Sequence, residues 1–418
     1  MGIKTLSPYQ AKSIAQANRR LNIWEGSVRS GKSISADLAW IKFVSDIVQA
    51  GDEDAPLLMA GKTERTLKRN VIDPMTAMLG VRRCRFIAGL GELRLLGRTV
   101  YVAGANDERS ADRLQGLTLK GAYVDEASLV PESFWTMLTS RLSMPDSRLF
   151  ATSNPDSSNH WLLKKYLSKA ATHMTAKTVK EKDSEQALDL IRFSFRLPDN
   201  RHLPRAYVEA LAKEYTGLWK LRYIDGQWVI AEGAVYPMYG EHLIRPAPQR
   251  SGGTLVVGVD YGTTNPFAAV VYEITRQGIK VFAEWGTAEP WTDGELSKGL
   301  REWLAHLQIS PKWICVDPSA ASFKRQLFRD GVRNMVDADN SVSDGIRMVA
   351  SLMSMGMLDI DPSCEELNTE MPGYRWDPDA SAKGLDKPIK RDDHYCDALR
   401  YGIATCEPLW RHLFDLAA

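Results

Sequence analysis

The chain has 418 residues, of which 44% are apolar and 25% charged. That length and balance suit two globular domains, each with a sizeable core, and exclude a collagenous, low-complexity or disulfide-framework chain. With 53 basic and 52 acidic residues the formal net charge is +1, so any nucleic-acid surface has to be local and not a property of the whole chain.

The N-terminal residues Met1 to Thr5 carry no apolar signal core, and no uncharged apolar run is long enough to span a bilayer. The expectation is a soluble chain with no membrane partner. Ser7-Pro8-Tyr9-Gln10 reads either as a turn entering a helix or as an amide (Gln10) and a ring offered to adenine. Next come the apolar run Leu21 to Trp24, the loop Gly26-Ser27-Val28-Arg29-Ser30-Gly31-Lys32-Ser33, and a helix-like stretch from Ile34 to Val44. This is the P-loop pattern in its strand-loop-helix setting. Gly26, Ser30 and Gly31 let backbone N–H groups close around phosphates, Lys32 reaches the β/γ oxygens, and the Ser33 hydroxyl ligates Mg²⁺.

Strand-like runs at residues 56–60, 99–103, 122–124 and 149–152 alternate with helical patterns, which predicts a mostly parallel sheet flanked by helices. The third ends in Asp125-Glu126. There Asp125 is expected to hold the nucleotide's Mg²⁺ and Glu126 to position the attacking water. The fourth ends in Ser153-Asn154-Pro155, read as an element that senses the γ-phosphate and couples it to movement. Arg29 in the loop and Arg113 before the acidic strand are alternative arginine fingers, and either also reads as a structural arginine. Basic clusters at Lys62, Arg65, Lys68 and Arg69, at Arg82, Arg83 and Arg85, and at Lys383, Lys387, Lys390 and Arg391 suit phosphate contacts, or simply solvated faces.

A helix-like stretch, Pro204 to Tyr223, gives way to Gly226-Gln227-Trp228 and then to Pro237, Pro246 and Pro248. The first domain is therefore placed at 1–231, with a helical part at about 200–231, a linker at 232–250 and a second domain at 251–418. In that second half Leu255 to Asp260 is an apolar run ending in a carboxylate, and Phe267 to Tyr272 forms a hairpin with it. Trp313 to Asp317 is another such run, and Asp393-His394-Tyr395-Cys396-Asp397 starts a helix. Asp260, Asp317 and Asp397 are the expected ligands of a metal pair, since phosphodiester cleavage by two ions needs hard oxygen donors. Asp393 shares a helix face with Asp397; it serves as the third ligand in place of Asp397 or caps the helix, and His394 handles protons behind the metals. The polar stretch Asp377 to Lys390 reads as a loop or short hairpin over this site. The five cysteines (Cys84, Cys315, Cys364, Cys396, Cys406) are odd in number and never in C-x₂-C spacing, which argues against a disulfide framework and a zinc site and fits a reducing cytoplasm.

On the P-loop, Tyr123 to Ala127, Ser153-Asn154-Pro155 and the segments around Asp260, Asp317 and His394 to Tyr401, the chain resembles the large terminase subunit of tailed bacteriophages. The stretches Asn200 to Pro204, Tyr215-Thr216-Gly217 and Glu232 to Pro237 are similar to that family too. The resemblance implies an α/β architecture: a P-loop ATPase domain of the additional-strand, conserved-glutamate type, then a ribonuclease H-like nuclease domain with a mixed sheet. It implies ATP with Mg²⁺ in the first domain and Mg²⁺ or Mn²⁺ in the second, spent on driving viral double-stranded DNA into a procapsid and cutting the concatemer. The implied partners are a portal protein and a small terminase subunit. A monomer in solution would assemble into a homo-oligomeric ring at the portal vertex, in the host cytoplasm. Two other readings stay open at this point: a host helicase-nuclease, and an ATP-binding module whose second domain grips DNA without cutting it.

Overall fold

A computed structural model of the chain describes residues 5–52, 55–246, 251–262, 266–287 and 289–414. It divides into two compact units. The first comprises the residues up to Pro204 together with Lys220–Ile230, and the second Arg205–Trp219 together with the residues from Ala231 onward.

In the first unit the strands are β1 (Leu21–Gly26), β2 (Leu57–Gly61), β3 (Cys84–Ile87), β4 (Glu92–Leu95), β5 (Arg98–Gly104), β6 (Gly121–Val124), β7 (Arg148–Ser153), β8 (Ala170–Met174), β9 (Val179–Glu181) and β10 (Leu188–Phe195). They form one sheet in the order β3-β4-β5-β2-β6-β7-β1-β10-β8-β9. From β5 through β8 in that order all neighbours are parallel. The antiparallel pairings lie at the two edges. The predicted mostly parallel sheet is therefore present, and β7 is the additional strand between the P-loop strand β1 and the acidic strand β6. Alternation along β1 sends Ile23 to one face and Trp24 to the other, each into its own buried cluster. Helix Lys32–Gln49 covers the Trp24 face with Trp40, Phe43 and Val44, while Trp135 and Leu138 of helix Glu132–Arg141 cover the opposite one.

Segment Lys220–Ile230 is tied to the first unit through the P-loop. Ser27 Oγ donates to the Ile224 carbonyl at 2.6 Å and the Val28 amide to the Tyr223 carbonyl at 2.8 Å. Trp228 Nε1 donates to Glu25 Oε2 at 3.0 Å. Residues 205–219, grouped by the sequence with the first domain, pack instead within the second unit. There Arg411 meets Glu214 at 3.5 Å and the Arg347 guanidinium lies over the Tyr215 ring. The part of the expected linker that is described also lies against the second unit: Ala234 bridges Arg375, and Tyr236 is buried beside Tyr374. Residues 247–250 fall outside the described residues.

The second unit holds β11 (Thr254–Asp260), β12 (Phe267–Thr275), β13 (Gly278–Thr287), β14 (Trp313–Val316), β15 (Met335–Asp337) and β16 (Leu358–Ile360), ordered β15-β14-β11-β12-β13-β16. β12 runs antiparallel to β11 and β13, whereas β14 is parallel to β11. This is the expected mixed sheet. Helix His394–Thr405 packs on it at Gly258, where a Cβ would sit 2.0 Å from the Ala398 carbonyl oxygen. Backbone meets backbone there, so only glycine fits. The Asp377–Lys390 stretch is a pair of bridged ends with one short helix, Pro378–Ala382, between them.

Gly258→Ala should force the helix off the strand and lower the stability of the second unit by about 1–3 kcal/mol, the usual cost of overpacking; urea unfolding followed by tryptophan fluorescence would measure it.

Candidate active sites

The parallel strands of the first unit place polar groups at their carboxyl ends, the position open to ligands in such sheets. Gly26 closes β1, Arg29 and Gly31 take positive φ (55° and 91°), and Lys32 opens the helix behind them. Lys32 is buried; its Nζ donates to Asn154 Oδ1 at 2.6 Å and to the Ser27 carbonyl at 3.2 Å. Burial lowers its pKa to about 8 despite the nearby carboxylates of Glu126, Asp125 and Glu25. Asp125 is buried as well, which raises its carboxyl above the usual range, although hydrogen bonds from Thr152 and the charge of Lys32 oppose the rise. Thr152 Oγ1 links the acidic pair by donating to Asp125 Oδ1 at 2.8 Å while accepting the Glu126 amide at 3.0 Å. Glu126 itself has φ +51°. A left-handed conformation is costly for a residue with a Cβ, and here it marks the turn at which this side chain enters the cleft.

The cleft has a volume of about 700 Å³ and is lined by Arg29, Ser30, Gly31, Lys32, Ser33, Asp125, Glu126 and Asn154, together with Asn70, Thr152 and Asn200. The first eight are sequence-predicted residues, now side by side. The other three were missed. Thr152 adjoins the Ser153-Asn154 pair and Asn200 opens the Asn200-Arg201-His202-Leu203-Pro204 stretch, but nothing in the sequence marks Asn70. Ser153 is buried and donates its hydroxyl to the Asn154 carbonyl at 3.0 Å. Arg113 is exposed, reaches the Gly104 carbonyl at 3.5 Å and does not line the cleft.

The N-terminal turn, read either as a helix entry or as an adenine contact, enters a helix capped by Ser7, and its Gln10 lies against the P-loop. Gln10 accepts the Ser7 amide at 2.9 Å and donates to the Gly31 carbonyl at 3.2 Å, so its amide props the P-loop from behind. Tyr9 stacks on Phe195 with ring centroids 4.4 Å apart and donates its hydroxyl to the Met174 carbonyl at 2.7 Å.

In the second unit Asp260 ends β11, and its Oδ2 lies 3.0 Å from His394 Nδ1. Burial pushes the Asp260 carboxyl up, and contact with that carboxyl in turn raises the imidazole. Asp397 is nearly fully buried. Its Oδ1 accepts Arg400 Nη2 at 2.9 Å and the Tyr374 hydroxyl at 3.2 Å, and its Oδ2 faces Lys390. Asp317 Oδ2 accepts the Tyr401 hydroxyl at 3.0 Å. Burial, and then the charges of Asp397, Asp260 and Asp317, hold the Tyr401 phenol protonated; of these three carboxylates Asp317 is the one bonded to it, and Asp317 does not line the cleft that the other two share with Tyr401. A cleft of about 480 Å³ is lined by Asp260, Lys390, Asp393, His394, Asp397 and Tyr401. Oxygen donors of this kind suit Mg²⁺ or Mn²⁺. Among the described residues, however, no three acidic, histidine or cysteine side chains are grouped closely enough to hold an ion as they stand.

Asp393 does not cap the helix with its side chain. Glu370, from helix Glu365–Gly373, does so: its Oε2 accepts the Tyr395 amide at 2.8 Å and the Cys396 amide at 2.9 Å. Sequence reasoning missed this cap because it comes from a different helix. It also missed Lys390, Tyr374, Arg400 and Tyr401 as parts of the site. Burial raises the Glu370 carboxyl to about 7, against the pull of those two amides and His394. A raised carboxyl means that the folded state holds more protons than the unfolded one between the ordinary glutamate value and about 7. Stability contributed by Glu370 is thus present at acid pH and lost as pH rises through that window. Glu370→Gln should flatten the fall in thermal midpoint between pH 5 and 7.5 relative to the unsubstituted chain, as read by scanning calorimetry of both proteins.

Comparison with known proteins agrees with both halves. The family model for the terminase large subunit, T4likevirus-type, N-terminal, matches residues 41–239. The large terminase subunit of Escherichia phage T5 is 29% identical over 153 residues, which is 35% of this chain and 34% of the T5 protein. The large terminase of a thermophilic bacteriophage is 31% identical and superposes with a TM-score of 0.84, covering 97% of this chain and 100% of that one. The same thermophilic phage protein in complex with ATP-γ-S superposes with a TM-score of 0.83 at 30% identity, again over 97% of this chain. With that identity sustained over the full length of the relative, the chain belongs to the family of bacteriophage large terminase subunits.

Proposed function

We propose that this chain is an ATP-driven DNA translocase and metal-dependent endonuclease that moves viral double-stranded DNA into a procapsid and cuts the concatemer. The observation that carries this reading is the presence, in one chain, of the Lys32-Ser33-Asp125-Glu126 cleft and of a second cleft where Asp260 and Asp397 meet Tyr401, itself bonded to Asp317. The complex of the thermophilic phage relative with ATP-γ-S supports ATP as the nucleotide.

In the first unit the loop amides of Ser30 and Gly31 and the Lys32 ammonium bind the phosphates, and Ser33 with Asp125 holds Mg²⁺. Glu126 orients the attacking water and accepts its proton. Asn154, bonded to Lys32, lies where a change at the γ-phosphate is felt first. Arg29 acts within this cleft, whereas exposed Arg113 suits a finger offered to a neighbouring subunit of a ring. In the second unit Asp260, Asp317 and Asp397 hold the ions, and His394, bonded to Asp260, moves protons at its ring nitrogens. Bound Mg²⁺ or Mn²⁺ supplies the Lewis acid there and lowers the pKa of a coordinated water. Exposed Arg82, Arg83 and Arg85 on the first unit, and Lys383, Lys387 and Arg391 on the second, contact DNA phosphates without reading sequence. A portal protein and a small terminase subunit complete the machine. Family membership favours this over a host helicase-nuclease.

Phosphate release and plasmid cutting in Mg²⁺ and Mn²⁺ separate the two activities. Glu126→Ala should lower ATP turnover by about 10²–10⁴-fold, the usual worth of a general base, and spare cutting. Asp260→Ala should do the reverse. DNA packaging by the Glu126 variant, or cutting indifferent to Asp260, would overturn the assignment.

A further inference from the structure

The Lys390 ammonium sits between two carboxylates of the nuclease cleft, hydrogen-bonded to Asp397 Oδ2 and 3.0 Å from Asp393 Oδ2. Asp397 has no other oxygen to offer an ion. Its Oδ1 takes Arg400 Nε at 3.2 Å, Arg400 Nη2 at 2.9 Å and the Tyr374 hydroxyl. Arg400 cannot leave easily, because its side chain is 1% exposed and its Nη1 donates to the Asn340 and Ser341 carbonyls at 3.2 Å each. The Oδ2 atoms of Asp393 and Asp397 therefore converge on the point that the ammonium fills.

The exposures of the three side chains differ in a telling way. Those of Asp397 and Asp393 are 4% and 6% exposed, whereas that of Lys390 is 60% exposed. The buried Arg400 matches one of these two buried carboxylates, so the metal-free site still needs a second counter-charge. A lysine reaching in from the surface on a flexible stem provides one and can withdraw without disturbing the core.

We propose that Lys390 is an internal counter-ion that occupies the cation position of the Asp393–Asp397 pair and competes with divalent metal for it. The proposal rests on the reading of the second unit as a metal-dependent nuclease. Lys390 keeps the metal-free site folded and sets the metal concentration at which it loads, since an ion entering between these oxygens first displaces the ammonium. Its place just before the ligand helix is then regulatory, in addition to any contact with DNA.

Calorimetric titration of the full chain with Mn²⁺ at pH 8, without nucleotide, tests this together with the metal-free thermal midpoint. Lys390→Gln should bind Mn²⁺ about tenfold more tightly, the scale expected on removing one competing unit charge at contact distance. It should also unfold at a lower temperature without metal and recover with Mn²⁺. Lys390→Arg, which keeps the charge, should stay near the unsubstituted chain in both readouts. Unchanged Mn²⁺ affinity in Lys390→Gln, with binding still abolished by Asp260→Asn, overturns the counter-ion and leaves the nuclease reading standing. Binding indifferent to Asp260→Asn in both backgrounds overturns the nuclease reading itself.

Discussion

A parallel sheet covered on both faces by apolar side chains leaves its polar chemistry one place to emerge, the carboxyl ends of the strands. The first unit obeys this throughout. Trp24 and Ile23 are committed to opposite cores, and so are Tyr123 and Val124, so the groups able to meet a phosphate are those just past Gly26, Val124 and Thr152. The insertion of β7 between β1 and β6 sets the lateral spacing. It separates the loop lysine from the acidic pair, and residues at and just past the end of β7 meet both: Thr152 holds Asp125 and the Glu126 amide, and Asn154 accepts from Lys32. In the second unit Asp260 at the end of β11 and Asp317 just beyond β14 use the same device, because those strands are parallel neighbours.

Once charges emerge at a partly buried rim, each has to be matched. Lys32 is matched by Asn154 and by the field of three carboxylates, and Asp125 by Thr152. Glu25, buried on β1 immediately before the loop, binds Arg192 at 2.9 Å and Trp228 at 3.0 Å. Asp397 is held between two cations on its two oxygens. Removing one member of such a set leaves a buried charge uncompensated, which costs more than the pair is worth when intact.

What could be read from the sequence was what is local. The P-loop, the Asp125-Glu126 pair and the strand-end aspartates announce themselves through spacing and through the apolar runs that precede them, and the central strands of both sheets followed from the same runs, whereas β3, β4, β8, β9, β10, β13, β15 and β16 did not. What could not be read depends on contacts across the fold. Glu370 caps a helix that begins 24 residues later, and nothing near His394 signals it. Lys390 looked like one more basic residue in a surface cluster, because its carboxylate partners are identified by burial and not by charge pattern. The bond from Gln10 to the Gly31 carbonyl could not be read for a related reason: that partner is presented only once the loop has its left-handed turn. The helical stretch after Pro204 carries an amphipathic pattern that does not say which core it covers, and its residues 205–219 cover the second.

The contact between Gly258 and Ala398 gives the candidate site of the second unit its datum surface. Asp397 and Tyr401 lie on either side of Ala398, so their depth is referenced to the backbone of β11 and not to the packing of their own side chains. Repacking of the surrounding core alters volumes, and side chains absorb it; the seat of this helix is indifferent to such changes. The site thus has one wall set by backbone contact and another at which a half-exposed side chain, that of Lys390, reaches in from the surface, so adjustment of the cleft to an ion falls to that side chain before it falls to the helix.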